Sequence, residues 1–260
     1  MFRPFKVYAA FLAFVSLAVL PLRAGFETDA VVMKSQPETS GYEFAFVIPG
    51  WLAGVEGTTT VRGIEADFDA GIDKILRNLD MIATGGFEVR KGKTGFSFSG
   101  LYVDASVGGS TPGPLLSSFS VGIEQVLLEG TFAHRVYQND RGWIDLLAGA
   151  RYSSMATELS LFDGPGSLVE ASVSWLDPCI GFQGHYEMSN KFFAVARGDA
   201  GGFGVGSELT WNLYGAIGTR VSESITMEVG YRYLYTDYGS GAFQYDAAMK
   251  GVFIGTRIAF

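Results

Sequence analysis

From Gly41 onward two-residue alternation recurs along the sequence, and those stretches are restricted to strands with one dry and one wet face. In "ITMEVGYRYLY", Ile225, Met227, Val229, Tyr231, Tyr233 and Tyr235 form one series, opposite Thr226, Glu228, Gly230 and Arg232. In "LTWNLYGAIGTRV" the apolar series is Leu209, Trp211, Leu213, Ile217 and Val221, and in "LDPCIGFQGHYE" it is Leu176, Ile180, Phe182 and Tyr186. Tight turns at "RKGKTG", "QNDRG", "MSNK" and "VSES" separate longer segments at 57–80, 107–118, 159–174, 199–206 and 238–245. Long and short connections therefore alternate, which predicts ten strands with both ends on the short-turn side; eight strands is the alternative.

Charge decides which face points inward. Glu88, Arg90, Glu129, Arg135, Asp145, Arg151, Asp177, His185, Glu187, Arg197, Glu228, Arg232 and Arg257 all fall on the polar series of their strands, while the other series is large, aromatic and almost free of charge. A soluble sandwich or lipocalin-like barrel would bury the apolar series and wet the polar one. Asymmetric loops instead favour an antiparallel transmembrane β-barrel, with lipid outside and a charged network lining the lumen. Ten strands lie near the width that side chains fill, so that network is expected to close most of the lumen. One segment breaks the strand period. Phe68, Ile72, Ile75, Leu76 and Leu79 recur at helical spacing behind Asp69, a candidate N-cap, predicting a short amphipathic helix over 68–80 in the first long loop.

The N-terminus reads as a secretory signal peptide over residues 1–24: Arg3 and Lys6, then the apolar run Val7 to Leu22, then Ala24. Those 16 apolar residues fall short of the roughly 20 that a membrane helix needs. Residues 25–40 are expected to be a flexible lead-in to a single domain, 41–260. The excised segment holds three of the 19 bases and none of the 27 acids, so the remaining chain carries −11. That balance argues against nucleic acid as a partner. Cys179 is the sole cysteine, so no internal disulfide can form.

Other chemistry is thinly represented. His134 and His185 are the only histidines. His134 lies on an apolar series and is expected near the membrane interface. His185 shares its series with Asp177, Gln183 and Glu187, which leaves a lipid- or peptide-hydrolysing barrel enzyme as the alternative to a non-enzymatic one. "GGFGVGSE" lacks the spacing and the strand-loop-helix context of a nucleotide loop. No histidine pair has ligand spacing, so neither a metal nor a cofactor is expected.

The terminal strand "VFIGTRIAF", the tyrosine-rich "VGYRYLYTDY" and the signal peptide resemble those of small Gram-negative outer-membrane β-barrel proteins. The "W-x-A-G" stretch from Trp51, with "ILRNLD" and "FEVRKGKTGFSFSGLYVD", is similar to the N-terminal part of a group of bacterial barrels. The resemblance implies an outer-membrane location. It also implies that the assembly machinery reads the last strand through Gly255, Ile258 and Phe260, although Phe253 stands where the family has a polar residue. A monomer in contact with outer-membrane lipid is expected, with a structural, surface-interaction or narrow small-solute role.

Overall fold

A computed structural model describes residues 41–61, 64–109, 119–161, 169–241 and 243–260. The expected signal peptide and lead-in lie outside these residues, as do segments of the second and third long connections. Eleven strands appear in the order β1 (Glu43–Val61), β2 (Ile64–Ala70), β3 (Leu79–Lys91), β4 (Thr94–Gly109), β5 (Phe119–Asn139), β6 (Gly142–Leu161), β7 (Val169–Glu187), β8 (Phe192–Gly202), β9 (Leu209–Arg220), β10 (Ile225–Ser240) and β11 (Phe243–Ala259). Each pairs antiparallel with its neighbour, and β11 closes on β1 over Ala45↔Ala259 to Val61↔Phe243. Ten strands form the barrel; β2 is an extra strand folded back along the upper half of β1.

Alternation places side chains as the sequence predicts. Leu176, Ile180 and Phe182 on β7, Leu213 and Ile217 on β9, and Val229 and Tyr231 on β10 are all exposed on the outer surface. The aromatic ladder Trp211–Tyr233, with centroids 4.7 Å apart, marks one edge of this band together with the Lys250–Glu56 ion pair. Phe44, Phe46, Phe87 and Phe260 mark the other edge. The backbone N–H of Phe260 donates to the Phe44 carbonyl at 3.0 Å, so the last residue is bound into the closing ladder.

Three local expectations change. The helix α1 spans only Ile72–Arg77, and its N-cap is Gly71 with no side-chain cap; Asp69 instead pairs with Glu56 inside β2, because the β1–β2 hairpin consumes the residues before it. The fifth connection is a tight hairpin, since pairing runs on to Ser240↔Phe243. The fourth is short and begins later than expected, at Phe203, so Asp199 belongs to β8.

The wall is broken in two places. Strands β8 and β9 are 11 and 12 residues long, against 19 to 21 for β5, β6 and β7, so their hairpin turns back while its neighbours continue upward. Between β1 and β3, pairing covers only Glu43↔Arg90 to Val47↔Gly86. Above that, β1 resumes pairing at Val55↔Ala70 with β2, leaving residues 48–54 of β1 and 79–85 of β3 without a partner strand on their facing sides among the described residues. Proline marks both breaks. Pro49 follows the last β1–β3 pair closely, and Pro178 immediately precedes the first β7–β8 pair, Cys179↔Gly201. Proline cannot donate to a ladder, so it is tolerated where a strand becomes an edge.

Candidate functional site: the barrel lumen

The lumen is filled by two different halves. On the side of β5 to β10 the charged series converges on Arg151, whose side chain is 2% exposed. Its Nε donates to Glu129 at 2.7 Å, one terminal nitrogen to Asp199 at 2.6 Å, and the other to Thr210 Oγ1 at 3.2 Å. Arg232 joins the same Glu129 at 3.0 Å and donates to Asn212, while Arg197 reaches Asp199 at 3.0 Å. Asn212 also donates to Asp199. Three guanidinium groups thus share two carboxylates and a set of neutral acceptors contributed by five strands. A buried ion must be paired and hydrogen-bonded in this way because its desolvation costs several kcal/mol.

Toward β11 and β1 the filling is apolar. Trp51, Ala53, Leu127, Leu234, Met249 and Phe253 pack together, with Leu101 and Tyr214 against them. The two halves meet where the Arg232 guanidinium lies 4.6 Å from the Trp51 ring centre. Above them Trp175 stacks on Tyr238 at 4.3 Å, with Tyr245 and Ala247 beside it. A cavity of about 10 Å3 between Gln125, Ser153, Trp175 and Thr236 is room for about one water.

At the short-turn end a second layer closes the lumen. Asp145 accepts from Arg135 at 2.9 Å and from Arg90, and Trp143 lies under both guanidinium groups. A bulge between Arg135 and Tyr137 resets the alternation so that Arg135 still faces Asp145 inside while Tyr137 faces out. His185 is enclosed between the Trp143 ring at 5.4 Å and the Phe193 ring at 4.9 Å, and its ring nitrogen Nε2 is 2.8 Å from Glu187. Arg220 binds the same Glu187. His134 faces outward, within 3.2 Å of Thr94 Oγ1.

Two residues of the charged series act differently from the expected network. Arg257, for which Glu228 on the adjacent strand is the obvious counter-charge, instead pairs with Glu88 at 2.8 Å, reaching across β1. Small residues open that path: Ala45 on β1 lies opposite Glu88, and Gly86 lies opposite Val47. Asp177, directly across from Arg151 in register, accepts instead from Trp175 Nε1 at 3.1 Å and from the Ser207 backbone N–H at 2.6 Å. It fastens the β8–β9 turn. Gly206 there has no room for a Cβ, which would meet the Leu176 carbonyl and the Asp177 carboxylate. In the terminal strand, Gly255 faces inward against Glu228 and Phe253, and Ile258 and Phe260 belong to the outward series.

Sequence reasoning missed Asp199, which it left in a loop, and the partners Arg220, Asn212 and Thr210. The Arg197-x-Asp199 spacing could have found the first, since residues two apart share a face.

The closed ladder, outward apolar band and charged interior settle the class. The chain is a closed antiparallel ten-strand β-barrel of the transmembrane kind. No protein-family model and no curated protein matches its sequence. Among solved structures the barrel is similar to the outer-membrane protease OmpT of Escherichia coli, at 12% identity and a TM-score of 0.49 over 87% of this chain and 99% of that one. It is also similar to Ail, the attachment invasion locus protein of Yersinia pestis (11%, 0.35, 85% and 100%), and to Neisserial surface protein A (12%, 0.32, 84% and 96%).

Proposed function

We propose that this barrel is a non-conducting, non-enzymatic monomer of the outer membrane that acts as a structural or surface-interaction element, assembled through its C-terminal strand. The observation that carries the reading is Arg151. Its guanidinium bridges Glu129 and Asp199 in the middle of the lumen, and the Trp51–Phe253 cluster fills the space beside it. Water and ions would have to break charge-assisted hydrogen bonds to pass. In planar bilayers the purified barrel is expected to give no stable conductance, and large stable pores would overturn the proposal.

The surroundings of His185 support a structural role for that residue. Its ring packs against Trp143 and Phe193, and its Nε2 meets Glu187, which is shared with Arg220. Purified protein is expected to cleave neither lipid nor peptide substrates. Cleavage that disappears in His185→Ala would establish the enzymatic alternative instead.

A further inference from the structure

The unpaired stretch between β1 and β3 lies inside the lipid-facing band. Residues 48–54 of β1 are opposite Lys250–Thr256 of β11, with the Lys250–Glu56 pair at the upper edge, so the seam occupies the half of the band nearer the long loops. Helix α1 follows β2 at the top of this gap, where Gly54 meets Ala70 and Gly71, and none of its residues is buried. Below it, Ile48, Leu52 and Met81 present exposed apolar side chains on the two flanks. Ile82 belongs to the lumenal series, opposite Val103, yet it is 47% exposed. The lumenal face of β3 is therefore uncovered beside the seam.

Trp51 adds an independent observation. It lies on β1 within the seam, its side chain is 93% buried (7% exposed), and its indole N–H has no hydrogen-bond partner among the described residues. A buried donor without an acceptor costs about 1–3 kcal/mol. Unpaired strand edges in hydrocarbon add to that cost, because no water is present to satisfy them.

We propose that the seam between β1 and β3 is a binding site for the acyl chain of one bilayer lipid, which enters from the membrane beneath helix α1 and reaches the lumenal residues Trp51 and Ile82. The occupant is a lipid because the seam opens only into the apolar band, between apolar flanks. An acyl chain matches those flanks. The part of the lumen held by Arg151 and its partners is unsuited to an apolar chain. The proposal is independent of whether the lumen conducts.

The test uses full-length barrel in phosphatidylcholine vesicles whose acyl chains carry bromine, a contact quencher of indole emission. Three variants each retain one tryptophan, with phenylalanine at the other three positions. Trp211, on the outer surface, is the positive control and Trp175, in the lumen, the negative one. Trp51 is expected to lose more emission than Trp175 and less than Trp211; a loss no greater than that of Trp175 overturns the proposal. Unaltered protein supplies the second readout if a variant does not fold. With a diazirine in the lipid acyl chain, illumination is expected to leave adducts on Trp51 or Ile82 as well as on outward residues. Adducts confined to outward residues, or cross-links to a second copy across the seam, also overturn it.

Discussion

The two breaks in the wall begin alike and are closed differently. At the β8–β9 notch, β7 becomes an edge near Pro178, and the gap is filled by specific contacts. Ser207 is fully buried with its N–H on Asp177, Glu208 donates to the Asp237 carbonyl at 2.9 Å, and Trp175 stacks on Tyr238 over the top. At the β1–β3 seam, β1 becomes an edge near Pro49, and the filler is a six-residue helix with no buried side chain. Polar latches and fixed rings make the first break part of the wall. The second is closed by a segment that makes few commitments to its neighbours, and this difference is what allows a seam but not the notch to admit something from outside.

The comparison can be broken experimentally, and the largest effect is expected where the notch side depends on buried charge. Arg151→Met leaves Glu129 and Asp199 without their shared cation, and loss of one partner of a buried pair costs about 3–5 kcal/mol; urea unfolding in lipid vesicles reads it. Asp177→Ala removes the acceptor from the Trp175 and Ser207 N–H groups, at about 1–3 kcal/mol for each orphaned donor. The same variant is expected to expose the 203–208 turn to protease. At the seam, Leu76→Ser is expected to change stability by less than about 0.5 kcal/mol, as for an exposed site. A cost as large as that of Asp177→Ala would show that the helix seals its break as firmly as the turn does.

The smallest effect concerns acidity beside the notch, above the membrane band. Partial burial, with the facing Asp246 and nearby Glu208 carboxylates, holds the Asp237 carboxyl above its ordinary value. The folded state therefore keeps that proton when the unfolded chain has released it. Its stabilising contribution is full below the ordinary carboxylate range and is lost as pH rises through the folded value. Unfolding measured across that window is expected to show a shallow loss of stability with rising pH, and Asp246→Asn should flatten it. A slope unchanged in that variant would show that Asp246 is not its source.

How much of this was legible in the sequence follows from which interactions are local. Alternation is local, so strand faces, turns and the lumenal charges could be read directly. Partners across the lumen depend on barrel stagger, which no single strand encodes. Arg257 thus met Glu88, two strands away, in place of the adjacent Glu228. The apolar half escaped for the same reason: Trp51, Leu234, Met249 and Phe253 are scattered over three strands, each beside small or charged residues of the same series. The helix was recognised but its start was misplaced, because strand pairing in β2 competed for Asp69 and prevailed. Pro49 and Pro178 were visible signals for both breaks, since a proline inside a long alternating run marks an edge.

Closure of β11 on β1 also has a kinetic consequence. The Lys250–Glu56 pair joins residues 194 positions apart, and the ladder around it links the first barrel strand to the last. Contacts this distant in sequence form slowly, because a long loop must be ordered before any of them is made. β1 emerges first and is paired last on its β11 side, so throughout assembly it presents an open template along most of its length. Whatever escorts the nascent barrel must guard that strand for the longest time.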